Sequence, residues 1–366
     1  MRLVFALLLL PALCFAQPSI TGVSCPSGYE HGNTITLSSS GSSFGTKVVV
    51  SPLAFDTIET GSFSDSWTNT FSLSVVDTSR HARSAYCGFK NFQADSMSMV
   101  HYNPGRYGAV GNSVQSEYRF CSYWFKLDEN WDWGTVPTDG ADGCNLVNVK
   151  TMRFWSSCTS SDNISTGTRN AQFLPRWVIE YVNVPDQDGD WSTSRTNEWD
   201  DGQWHHIQYA IKDSDANWAA NAELHVWFDG HLEVDETGLV GRDNCDCNKY
   251  LFVLGFYNSW LDNSSDPNYF YFDDAYDDST WARVEIGDDP VYADCSHREM
   301  QLLDAWAPDE VSFVMNQGSF SAGDAAYIFI SDRDGNVNTT GWGIKVGGTP
   351  SVELTAPTNL TATGGN

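Results

Sequence analysis

The chain is predicted to be all-β, on three observations. Between Trp204 and Gly287 the apolar residues fall in short runs, WHHIQYAIKD, ELHVWFDGHLEVDETGLV, YLFVLGFYNSW and NYFYFDDAYDDSTWARVEIGD, rich in β-branched and aromatic residues. That composition fits a pleated, half-buried surface. Gly, Asp or Asn bounds each run, the punctuation of strands joined by turns, and no run carries a helical period. Aromatic residues make up 14% of the chain, with 15 Trp, enough to fill a large β core.

Taken in order, the chain opens with Arg2, an apolar run from Leu3 to Leu10, Pro11, and small residues around Ala16. Residues 1–16 read as a secretory signal peptide, too short to span a bilayer. The product is expected to be secreted or at the cell surface, with no membrane insertion. Residues 17–50 carry two short strands, Ile20 to Val23 and Thr34 to Leu37, and a Gly-Ser-Ser-Phe-Gly corner. Residues 51–294 are long enough for one two-sheet sandwich of a dozen or so strands, with further strands expected at Ser116–Leu127, Leu146–Trp155 and Arg176–Asn183. Glu129–Gly143 and Ser156–Leu174 are expected to be rim loops. Residues 295–348 hold more strands, among them Glu310 to Asn316 and Gly323 to Ile330. Residues 349–366 turn Gly-, Pro- and Thr-rich and read as a linker.

The order of parts in the middle segment, Trp204-His205-His206 opening a strand, Trp227-Phe-Asp-Gly230 at a hairpin, and paired aspartates at Asp273 and Asp274 near the end, resembles the concanavalin A-like lectin/glucanase sandwich. Laminin-G and several polysaccharide lyase families share that fold. Residues 17–50 resemble the first half of an IPT/TIG immunoglobulin-like domain, and residues 295–348 its closing strands. The resemblance therefore implies a jelly-roll sandwich inserted into a small Ig-like β-sandwich, an arrangement tolerated where chain ends lie close together. Ala356 to Thr363 resembles the first strand of a fibronectin type III domain, which implies further domains in a longer chain. Such sandwiches host lectins, hydrolases, lyases and adhesion modules alike.

The net charge of −27 excludes nucleic acid and anionic membranes as natural partners. Of nine cysteines, Cys14 lies in the leader. The remaining even number in an exported chain favours disulfides, and no CxxC pair with zinc spacing is present. Roughly a hundred connectivities are open; Cys144 with Cys158, flanking one strand, is the pair put forward. Sequons at Asn163, Asn263, Asn338 and Asn359 are expected to mark exposed loops.

Four kinds of chemistry are compatible with the residues present. Structural calcium is implied by the resemblance, through Asp56 and Glu59 near the first strand with Asp273 and Asp274 in the closing one, hard oxygen ligands that suit Ca²⁺; the competing reading is capped turns and solvated carboxylates. A glycosidase of the retaining type is disfavoured, because Glu233-Val-Asp-Glu236 breaks the Glu-x-Asp-x-x-Glu spacing. β-Elimination of a uronate polymer needs a base and a group to neutralise the sugar carboxylate, and Lys150, Arg153, His206 and Tyr209 could supply them. Strand alternation sets Lys150 and Arg153 on opposite faces unless a bulge intervenes. Glycan binding without chemistry would use Arg153, Trp155, Tyr181, Tyr257, Asn258 and Trp260, since flat aromatic faces stack on pyranose rings and planar polar groups bond their hydroxyls. The expected function is carbohydrate binding or adhesion, with a polysaccharide lyase or hydrolase and a structural spacer as alternatives.

Overall fold

A computed structural model describes residues 17–71, 73–92, 107–129, 131, 148–156, 163–169, 174–180, 187–190, 199–243, 247–258 and 268–348. Among these there is no α-helix, only strands and a single 3-10 turn at Tyr292–Asp294. The strands run β1 (Gly22–Ser24), β2 (Thr34–Ser38), β3 (Ala54–Asp56), β4 (Asn69–Phe71), β5 (Ser74–Val76), β6 (Cys87–Asn91), β7 (Tyr107–Ser116) and β8 (Tyr118–Leu127). They continue as β9 (Asn148–Ser156), β10 (Asn163–Arg169), β11 (Leu174–Glu180), β12 (Asp188–Asp190), β13 (Trp204–Lys212), β14 (Ala220–Phe228), β15 (His231–Val240) and β16 (Lys249–Asn258). The chain closes with β17 (Tyr269–Asp278), β18 (Arg283–Gly287), β19 (Arg298–Met300), β20 (Leu302–Trp306), β21 (Glu310–Val314), β22 (Ala325–Ser331) and β23 (Trp342–Lys345).

Two large antiparallel sheets form the main sandwich. One has the order β15-β14-β13-β8-β17-β6-β5, with β3 also on β17; the other has the order β12-β11-β10-β9-β16-β7-β4. Alternation decides which side chains lie between them. On β13, Ile207, Tyr209 and Ile211 enter a core shared with Tyr123 and Phe125 of β8 and Phe256 of β16, leaving His206 and Gln208 on the other face. β14 turns into β15 through Asp229 and Gly230, both at positive φ (46° and 79°), the backbone that a tight hairpin requires. A Cβ on Gly230 would lie 1.9 Å from the Cys295 carbonyl oxygen, so the hairpin also packs where only glycine fits.

The first and last described segments meet in a smaller sandwich. Its sheets run β1-β2-β21-β20 and β19-β18-β22-β23, and Ile35, Leu37 and Phe44 share one core with Ile286, Phe313 and Ile328. Arg283–Gly287, read in the sequence as the end of the large sandwich, pairs instead with β22 and β19. The long run beginning at Asn268 breaks at Trp281, whose indole N–H donates to the carbonyls of Arg119 and Ile211, both at 3.1 Å.

Three expectations are corrected. The rim loop expected over Ser156–Leu174 contains β10, which buries Ile164 in the core. The cysteines do not all pair: Cys25, Cys87, Cys121 and Cys295 are buried free thiols, and Cys25 and Cys121 belong to different cores. Cys247 is disulfide-bonded; Cys144 and Cys158 lie outside the described residues. Asn163 is fully buried and Asn338 is 6% exposed, so neither sequon marks an exposed loop; Asn338 Oδ1 accepts the Ile330 N–H at 2.7 Å and its amide donates to the Thr340 carbonyl at 2.9 Å.

Candidate functional site

The strongest clustering of site residues lies on the outer face of the seven-stranded sheet, and a bulge in β9 creates it. Arg153 pairs with Ser165 and Met152 with Thr166, but Gly167 pairs with Lys150, so Thr151 is the extra residue. Its hydroxyl points inward, accepting from the Tyr209 hydroxyl at 2.8 Å and lying 3.0 Å from that of Thr166. Met152 also enters the core. Two consecutive inward residues reset the alternation, and Lys150 and Arg153 emerge on one side.

The neighbours of this pair follow from register. Tyr257 lies opposite Lys150 on β16. Asn163 and Ser165 alternate outward beside Trp155 and Arg153, and the Ser165 hydroxyl donates to Asn163 Oδ1. The Arg153 guanidinium stacks over the Trp155 ring at 3.6 Å from its centroid, a cation–π contact that fixes the fork. Trp155 meets Phe252 edge-on (5.1 Å, 85°) and Phe252 meets Tyr250 edge-on (6.3 Å, 90°). Burial pushes the Tyr250 phenol up, partly offset by Arg153. The three rings are half-buried and each meets the next edge-on, so they form ridges beside the cations and not a flat platform. Lys150, Arg153 and Tyr257 are 4%, 7% and 6% exposed.

Two other elimination candidates are elsewhere. Tyr209 is in the core, its phenol pushed up by burial. His206 is on the far face of the eight-stranded sheet, stacked on Trp124 (4.7 Å between centroids, 6° between planes); burial lowers its pKa to about 3. Lys150, Tyr209 and His206 thus occupy three successive layers. Of the remaining glycan candidates, Asn258 ends β16 opposite Val149, and Tyr181 and Trp260 lie outside the described residues.

The acidic candidates are engaged with donors from the chain itself. Asp56 accepts the N–H groups of Ile58 (2.9 Å) and Ser64 (2.6 Å), and Glu59 that of Ala85 (2.7 Å). Asp273 accepts from the Ser84 hydroxyl at 3.1 Å, and Asp274 pairs with the Arg80 guanidinium. Among the described residues no group of three or more His, Cys, Asp or Glu side chains is arranged to hold a metal ion. As folded, this donor set does not fit calcium: a guanidinium fills the charge role between Asp273 and Asp274.

That guanidinium also joins the two sandwiches. Arg80 donates to both carboxylate oxygens of Glu299, each at 3.0 Å, and lies 4.4 Å over the Trp124 ring. Burial pushes the Glu299 carboxyl up, but Arg80 and His297 outweigh it and hold the group well below its usual range. Beside this pair, Gln208 donates to Glu285 (2.6 Å) and accepts from Arg298 (2.7 Å). Arg80, Trp124, Asn163 and Ser165 were not singled out as binding or catalytic residues from sequence. Only the Asn-x-Ser pattern of the last two drew notice, and it pointed to a different role.

No protein-family model and no curated protein matches the chain. Similar solved structures include an endo-β-1,4-glucuronan lyase from the fungus Trichoderma reesei (16% identity, 63% of this chain and 97% of that chain, TM-score 0.42). An alginate lyase, vAL-1, from a Chlorella virus is similar at 11% identity over 62% of this chain and 99% of that one, TM-score 0.40. The binding domain of botulinum neurotoxin DC, solved with rat synaptotagmin II, is similar at 9% identity over 77% and 71%, TM-score 0.37. Likeness at this level carries no functional information about this chain, which stands as an all-β double sandwich whose seven-stranded sheet gathers two cations, an amide, hydroxyls and aromatic rings on one outer face.

Proposed function

We propose that this face binds an acidic, uronate-bearing polysaccharide and that the protein does so after export. The observation that supports the reading is the bulge at Thr151, which sets Lys150 and Arg153 side by side in a chain of net charge −27. Two cations on one sheet face are of the kind that meet an anionic group. A planar guanidinium matches a carboxylate in two-pronged fashion, and the Trp155 ridge offers an apolar surface to a pyranose. The leader-like residues 1–16 support export. The small sandwich, with its resemblance to IPT/TIG domains, suits display of this face among other extracellular modules.

A second reading, a polysaccharide lyase, is favoured by one observation, the cross-strand pairing of Tyr257 with Lys150. With Arg153 neutralising the uronate carboxylate, the proton on C5 becomes more acidic. One member of the pair removes that proton, the electrons form the C4–C5 double bond as the C4–O4 bond breaks, and the other member returns a proton to O4.

Incubating the purified protein with polyuronates and neutral glucans tests both readings. Retention on polyuronate without shortening, lost about tenfold or more in Lys150→Ala and Arg153→Ala, is the expected result for binding. Shortened chains with unsaturated ends would establish the lyase, and retention on neutral glucans alone would overturn the assignment.

A further inference from the structure

On the other side of the main sandwich a cavity of about 540 Å³ opens between the loop that follows β3 and the strands β20 and β21 of the small sandwich. Ligand pockets run from roughly 300 to 1,000 Å³, so this volume accommodates a small organic molecule. Phe55, Leu302 and Met315 give it apolar walls; Glu59, Thr60 and Ser62 give it a carboxylate and two hydroxyls. Among the described residues no lysine or arginine lines it. Burial, together with nearby Arg83, lowers the pKa of the His31 imidazole in its wall, so the described lining brings no positive charge at neutral pH.

The loop is held in shape before any ligand arrives. Asp56 clamps both ends of it through the Ile58 and Ser64 N–H groups, and the Gly61 N–H closes a turn on the Ile58 carbonyl at 2.9 Å. Within that clamp Ile58 sits at φ 58° and is 1% exposed. A β-branched residue in left-handed conformation is strained, and such strain persists only where the surroundings over-determine it, as they do around ligand sites.

We propose that this cavity is a second carbohydrate site, one that takes a pyranose lacking a carboxylate, neutral or bearing an amine. Apolar walls receive the C–H face of the ring while Thr60, Ser62 and Glu59 bond its hydroxyls, and the carboxylates and absence of Lys or Arg disfavour uronates. The site stands independently of the cationic face, which lies across the main core and selects the opposite charge.

Saturation-transfer NMR on the whole protein with glucose, glucosamine and glucuronate tests it. Expected are transfer to glucose and glucosamine, weak or no transfer to glucuronate, and a loss of at least about tenfold in glucose and glucosamine binding in Leu302→Arg. Leu302 is 37% exposed, so the variant is expected to fold; Ser62→Trp, at another wall, fills the same space should it not. Transfer to glucuronate that either variant abolishes, transfer to glucose indifferent to both variants, or no transfer to any of the three sugars would overturn the assignment.

Discussion

Lys150 and Arg153 share one face of β9 because Thr151, between them, is the surplus residue of a bulge and turns its hydroxyl to the core. The bulge is a local feature with a large consequence, since a one-residue change of register exchanges the two faces of a strand.

Deleting Thr151 is expected to remove the bulge yet leave Met152 alone between Lys150 and Arg153, so simple alternation keeps both cations on one face and retention on polyuronate survives. Thr151→Val keeps the bulge but strands the hydroxyls of Tyr209 and Thr166 in the core. It should cost about 1–3 kcal/mol in denaturant unfolding and leave retention in place.

Arg80→Ala removes the partner of two buried carboxylates, Asp274 and Glu299. Loss of one member of such a buried cluster costs about 3–5 kcal/mol, so a large fall in Tm is expected. The Arg80 guanidinium, 3.9 Å from Asp273 and paired with Asp274, takes the place a cation would hold between them; a fall in Tm on calcium chelation would overturn that account.

The adjacent histidines should respond to pH with opposite sign. His206 is neutral in the fold, its pKa lowered by burial to about 3, so its contribution is present above the unfolded value near 6.5 and is lost as pH falls from there. For His205, burial lowers the pKa, but hydrogen bonds to Asp229 (2.8 Å) and Asp201 (3.0 Å) outweigh it and raise the folded value. Its contribution is present below about 6.5 and is lost as pH rises through the folded value. Stability-against-pH curves should therefore flatten on the acid side in His206→Asn and on the alkaline side in His205→Asn.

Asn163 and Asn338 should carry no glycan in folded protein from a glycosylating host, because each is buried and Asn338 is bonded through both ends of its amide. Glycopeptide mass spectrometry of the secreted protein checks this, and occupancy at either position would contradict the fold around it.

Gly230→Ala should fold poorly or not at all, since its methyl group would meet the Cys295 carbonyl and the residue needs φ 79°. Urea unfolding would read the loss, and a change under about 0.5 kcal/mol, the range of an unconstrained surface site, would refute the close approach.

Taken alone, the sequence determined the fold class and many of the strands, because alternation and turn residues are local properties. The run Trp204 to Lys212 carries its two faces in its own order of residues, and Asp229-Gly230 states its hairpin. It also raised the question of Lys150 and Arg153, but only tertiary structure decided it, since the bulge lies in the register with which β9 pairs with β10. Tertiary structure alone likewise divided His206 from Tyr209, brought Arg80 to Asp274 across 194 residues of chain, carried Arg283–Gly287 into the small sandwich, and buried two sequons. Each of these depends on which distant group supplies a charge or a hydrogen bond, and such partners leave no periodic trace in the order of the residues.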